Sequence, residues 1–130
     1  MSKKKILLAE PVIPKKETIA LIKKVLDGNY PNEGKFTKLF ENKLSKLLNV
    51  RYVVTSTSGT ISIFLALKAV GIKKGDEIII PNLTFPATAN AVILAGGKPV
   101  LVDVDKKNLL INEINLLQKI TKKTKAIIPF

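Results

Sequence analysis

Three features of the sequence predict an α/β fold on a mostly parallel sheet. Short apolar runs rich in β-branched residues alternate with segments of helical length, and Gly or Asn turn signals separate them. The runs are also continuously apolar, as strands covered on both faces are, so a three-layer α/β/α arrangement is expected. With 130 residues, 46% of them apolar, the chain has enough material for a single domain with its own core.

Residues 15 to 27 read as an amphipathic helix with Ile19, Ile22 and Leu26 on one face, closed by Gly28. The stretch 28-GNYPNEGK-35 is a loop by composition. Phe36, Leu39, Phe40, Leu44, Leu47 and Leu48 then form a stripe at helical spacing, with Lys38, Glu41, Lys43 and Lys46 outside it. Strands are expected at Tyr52 to Thr55, Glu77 to Pro81, Pro99 to Val104 and Ala126 to Phe130. Helices should occupy 59 to 70, 86 to 96 and 112 to 120, with turns at Gly71, Gly75, Gly96-Gly97 and Asn108. The organisation is therefore an arm and two helices over 1–51, followed by a sheet domain over 52–130.

Composition removes several kinds of chemistry. The chain has no cysteine and no histidine, so thiolate metal sites, Cys nucleophiles and His-dependent triads are absent, and no metal site is expected. The apolar run Ile6 to Ala9 is too short for a signal peptide, and no segment has the length of a membrane span, which makes a cytoplasmic location the simplest reading. The formal charge of +12 invites a nucleic-acid partner. Against it, Arg51 is the single arginine, and the lysines are dispersed over polar faces and turns. An anionic small molecule suits the same field.

The hydroxyl-rich break in 52-YVVTSTSGTISIFLALKAVG-71 falls where a strand would leave the sheet and a helix begin. There the first backbone N–H groups lack intrahelical partners and the helix dipole adds partial positive charge, so a phosphate is a natural guest. Gly59 leaves room for an anion to approach, and Ser58 and Thr60 add hydroxyl donors. Ser58 could equally serve as a plain helix cap, and both readings stand on the local sequence. Neither G-x-x-x-x-G-K-[ST] nor G-x-G-x-x-G is present. The second loop, 82-NLTFPATANA-91, places Phe85 at the same sheet edge. There it either fills the core or lies flat on a planar heterocycle.

Several ordered runs resemble the PLP-dependent nucleotide-sugar aminotransferases of the DegT/DnrJ/StrS family. They are Pro11 in the arm, 28-GNYPNEGKFTKLFE-41, 50-VRYVVTSTSGT-60, 71-GIKKGDEIIIPNLTFPATANAVILAGGKPVLVDVD-105 and 121-TKKTKAIIP-129. The resemblance implies part of a fold-type-I PLP-transferase large domain, with pyridoxal 5'-phosphate as cofactor. It also implies a homodimer that moves an amino group, usually from glutamate, to a keto group of a nucleotide-linked deoxysugar for polysaccharide or amino-sugar biosynthesis. By position, Gly59 and Thr60 resemble the residues that hold the cofactor phosphate, with Ser58 beside them. Phe85 resembles the aromatic that stacks on the pyridine ring, and the segment around Tyr30 and Gly34 one near the substrate.

The family's Schiff-base lysine and the carboxylate that pairs with the pyridinium nitrogen lie beyond the matched region. No catalytic residue is therefore expected in this chain, which reads as an inactive fragment, poorly soluble alone. In the family sheet order 3-2-4-5-6-7-1 the run Tyr52 to Thr55 is strand 1, and here it would have no neighbour. Two other readings stay open: a non-catalytic α/β module that binds a phosphorylated small ligand, and a basic nucleic-acid-binding domain.

Overall fold

The computed structural model describes residues 11–28 and 34–129, in two compact units that meet in sequence between Val54 and Thr55. The first unit carries α1 (Lys15–Leu26) and α2 (Lys35–Leu48). In α1, Glu17 lies in the first turn and Lys23 and Lys24 in the last, which complements the helix dipole. Asn49 closes α2 in the left-handed region at φ 52°, a conformation asparagine tolerates well. Neither helix buries a side chain among the described residues. Their apolar stripes instead line a groove of about 450 Å³ that includes Leu21, Ile22, Phe36, Leu39 and Phe40.

In the second unit α3 (Gly59–Ala69), β1 (Glu77–Pro81), α4 (Ala87–Ala95), β2 (Lys98–Val102), α5 (Glu113–Lys119) and β3 (Thr124–Ile127) alternate along the chain. The sheet order is β2-β1-β3 and both pairings are parallel. β1 is the central strand and all five of its residues are buried, the apolar run Ile78 to Pro81 together with Glu77. Ile78 and Ile80 project from one face of it into a core with Leu67, Ile72, Val92 and Ala95. In α4 the buried residues Thr88, Ala91, Val92 and Ala95 follow the i, i+3, i+4, i+7 spacing of one helix face. Gly96 then closes the helix at φ 92°, and Gly97 is held so tightly that an added Cβ would collide with Ile78 Cδ1.

The expected strand at Tyr52 to Thr55 does not form. The chain there belongs to no sheet, and the Tyr52 and Val54 side chains are 75% and 81% exposed. A β-branched run becomes a strand only when a neighbouring backbone takes up its N–H and C=O groups, and the described sheet consists of β1, β2 and β3 alone. The other three expected strands are present, with ends displaced by a few residues.

The amino ends of the strands are joined through one carboxylate. Thr121 Oγ1 donates to Glu77 Oε2 at 2.7 Å, and Lys98 Nζ to Glu77 Oε1 at 3.3 Å. The Thr121 hydroxyl bond, ahead of the Lys98 contact, holds the Glu77 carboxyl below its usual range. A carboxylate depressed in the folded state stabilises the fold fully above its unfolded pKa, near 4.3, and loses that contribution as pH falls through the lower folded value. Glu77→Gln should therefore melt earlier than the unaltered chain at pH 7, and the gap should close below pH 4 in thermal scans by circular dichroism. By the same measurement Gly97→Ala should cost about 1–3 kcal/mol at any pH, because the collision with Ile78 is steric.

Candidate functional site

The hydroxyl-rich break forms the amino end of α3. Ser58 is the N-cap in extended conformation, and its Oγ accepts from Ile61 N at 3.3 Å. The Ser58 carbonyl accepts from Ser62 N at 2.9 Å, beginning the helix. That leaves the N–H groups of Gly59 and Thr60 at the open mouth, as the geometry of a helix start requires. The Ser58 hydroxyl uses a lone pair on Ile61, so its own hydrogen stays available. Cap and anion donor are therefore compatible roles for this residue. No charged side chain occurs between Arg51 and Lys68, so an anion here would be held by N–H groups, a hydroxyl and the helix dipole.

Gly59 is exposed, and an added Cβ would meet nothing within 4 Å. Its φ is also outside the left-handed region. Neither packing nor backbone conformation in this chain calls for glycine at position 59. What glycine does provide is an unobstructed approach to two N–H groups from outside.

The second predicted loop follows β1. α3 and α4 pack against each other, and a Cβ on Gly96, just after α4, would sit 3.7 Å from Lys74 N in the loop after α3. β1 ends at Pro81 and releases the loop bearing Phe85. The ring is 74% exposed, so Phe85 is not part of the core.

The loop that presents Phe85 is nonetheless anchored. Asn82 N donates to Val102 O at 2.8 Å, and the Asn82 amide donates to the Asp103 carboxylate. Thr84 Oγ1 lies 3.2 Å from the buried Thr88 Oγ1, and Thr88 N donates to Phe85 O at 3.0 Å. Sequence reasoning missed these anchors. The available signal was polar residues flanking an aromatic at a strand end, and nothing in a one-dimensional pattern pairs Asn82 with Asp103.

Ser58, Gly59, Thr60 and Phe85 all fall in the second unit. Gly34 falls in the first, where it precedes α2 in extended conformation and its carbonyl accepts from Lys38 N at 3.3 Å. Tyr30 lies outside the described residues. Among the described residues no cluster of acidic side chains could hold a metal ion, and no helix is long and apolar enough to cross a membrane.

Comparison with known proteins gives consistent matches. The model of the DegT/DnrJ/EryC1/StrS aminotransferase family matches residues 13–130. GDP-perosamine synthase of Escherichia coli O157:H7 is 39% identical over 107 residues, which cover 82% of this chain and 29% of that protein. Among solved structures, Spr1654 of Streptococcus pneumoniae in its PMP form superimposes with a TM-score of 0.88 at 31% identity, over 95% of this chain and 31% of that one. NtdA from Bacillus subtilis, with bound cofactor PMP, matches with a TM-score of 0.78 at 33% identity, over 98% of this chain and 32% of that one. The chain thus spans about a third or less of the length of these relatives.

Because the space around Gly59 is open, Gly59→Ala should leave the melting temperature unchanged or raise it slightly, alanine being the better helix former. A fall of several degrees in calorimetry would show that glycine is needed for folding instead.

Proposed function

The chain belongs to the DegT/DnrJ/EryC1/StrS aminotransferase family, and on that premise we propose that it is part of a pyridoxal 5'-phosphate enzyme that aminates a nucleotide-linked sugar. The amino group comes from glutamate, the acceptor is a keto group of a deoxysugar, and the product enters cell-surface polysaccharide or amino-sugar biosynthesis. The working enzyme is a cytoplasmic homodimer. The similarity to GDP-perosamine synthase supports the sugar-nucleotide assignment.

The observation that supports the reading is Gly59, where neither a close neighbour nor a left-handed backbone accounts for the glycine. The N–H groups of Gly59 and Thr60, with the Ser58 hydroxyl, hold the cofactor phosphate, and the exposed Phe85 ring covers one face of the pyridine. When bound, the cofactor supplies an electron sink for moving an amino group. The residues described here bind and orient it. Gly59 and Thr60 fix the handle, and Phe85 sets the plane of the ring and keeps water from that face. The segment around Tyr30 and Gly34 belongs to the substrate side.

None of the 21 lysines lies in a sequence context that matches the family's Schiff-base motif, so this stretch supplies no lysine for the covalent step. The 130-residue chain alone therefore binds without catalysing.

Titration with pyridoxal 5'-phosphate and, separately, inorganic phosphate tests these roles. Gly59→Ala should weaken both ligands about tenfold or more, since its Cβ enters the space the phosphate takes. Phe85→Ala should weaken pyridoxal phosphate about fivefold, the equivalent of roughly 1 kcal/mol of stacking, and leave inorganic phosphate unchanged. Equal loss of both ligands in Phe85→Ala would refute the ring contact. A single borohydride-trapped lysine adduct would show that a Schiff-base lysine is present after all.

A further inference from the structure

The hydroxyls around the helix mouth are not equivalent. Ser56 Oγ lies 2.6 Å from Ser62 Oγ and 3.0 Å from the Ser58 carbonyl oxygen, and Ser62 Oγ lies 3.3 Å from that same carbonyl. Three oxygens thus form a triangle that contains two hydroxyl protons. In one arrangement Ser62 donates to Ser56 and Ser56 to the carbonyl. In the other, Ser56 donates to Ser62 and Ser62 to the carbonyl. Either way both protons are consumed inside the triangle, and neither Ser56 nor Ser62 has one to give to an anion.

We propose that the Ser56–Ser62 hydroxyl bridge fixes the Ser58–Gly59 peptide plane and thereby aims the Gly59 N–H at the bound phosphate. In a planar trans peptide the C=O of Ser58 and the N–H of Gly59 point in opposite directions. Pinning the carbonyl toward the helix, where Ser62 N also reaches it at 2.9 Å, therefore turns the N–H outward to the mouth. The bridge spans six residues, from the loop before α3 to the second turn of the helix. It ties the aim of a loop donor to a rigid element. Ser56 and Ser62 are positioning residues, distinct from the donors Ser58, Gly59 and Thr60. The inference rests on the cofactor reading for the identity of the anion but not for the geometry of the bridge.

Ser56→Ala, Ser62→Ala, the double variant and Ser62→Thr, each in the 130-residue chain, separate these roles when inorganic phosphate is titrated and amide resonances are followed by NMR. Each alanine variant should weaken phosphate about fivefold, the loss expected for one hydrogen bond. The double variant should be no weaker than the poorer single, because both changes remove the same bridge. Ser62→Thr, which keeps the hydroxyl, should restore binding. The Gly59 amide resonance should move in the alanine variants without ligand. Unchanged phosphate affinity, additive losses or failure of Ser62→Thr to rescue would overturn the proposal. If the unaltered chain takes up neither phosphate nor pyridoxal phosphate, the cofactor reading falls. The bridge is then decided by the Gly59 resonance: a shift in Ser56→Ala supports it and no shift overturns it.

Discussion

The parallel pairing of β1 with strands on both sides is the constraint on which the second unit depends. A central strand buried at every residue must hand its backbone groups to two neighbours, and β2 and β3 supply them. Parallel neighbours require crossovers, so a helix must return the chain to the starting end each time. The consequence for function is geometric. Every strand-to-helix loop appears at one end of the sheet, and the loop with Phe85, which follows β1, lies there. At the opposite end Glu77, Lys98 and Thr121 join the strands, so the charged fastening and the Phe85 loop are separated by the length of β1.

At the α3 mouth the question is which groups still have hydrogens to give. Six hydroxyl residues crowd the stretch 55 to 62, and a count of donors from sequence would assign all of them to a ligand. Ser56 and Ser62 spend their protons on each other and on the Ser58 carbonyl, whereas Ser58 accepts from Ile61 and keeps its own. Capping and donation are compatible for Ser58, because capping uses the oxygen and leaves the hydrogen. A helix end satisfied in this way gains a stable start while keeping two N–H groups facing outward.

Much of this was legible in the sequence, for identifiable reasons. The core strand at Glu77 to Pro81 and the helix over 87 to 95 were visible because burial imposes periodicity on their residues. Gly59 stood out because small hydroxyl residues and a glycine mark a helix start, and Phe85 because it lies between a strand and a helix. The run Tyr52 to Thr55 misled, since β-branched composition reports that a segment can be a strand and is silent on whether a partner is at hand. Long-range fastenings such as Asn82 with Asp103 or Glu77 with Thr121 were out of reach for a related reason. They join residues 21 and 44 positions apart, and a pattern along the chain carries no information on which polar residues meet across it.

The two units differ in how completely they satisfy their own apolar surface. Between Thr55 and Phe130, Ile72, Ile78, Ile80 and Val92 are sealed by neighbours within the unit. In α1 and α2 the periodicity of Ile19, Ile22, Leu39 and Phe40 is as clear as in any buried helix, yet these side chains remain half or more exposed or close to it. An amphipathic stripe encodes the requirement for a cover and not its identity. The amino end of α3 escapes that limitation. Its parts, from Ser56 to Ser62, lie within two turns of one helix and the loop before it, so local backbone geometry is enough to build it. A helix start made from contiguous residues can thus be well formed in a chain whose first two helices still present uncovered apolar faces.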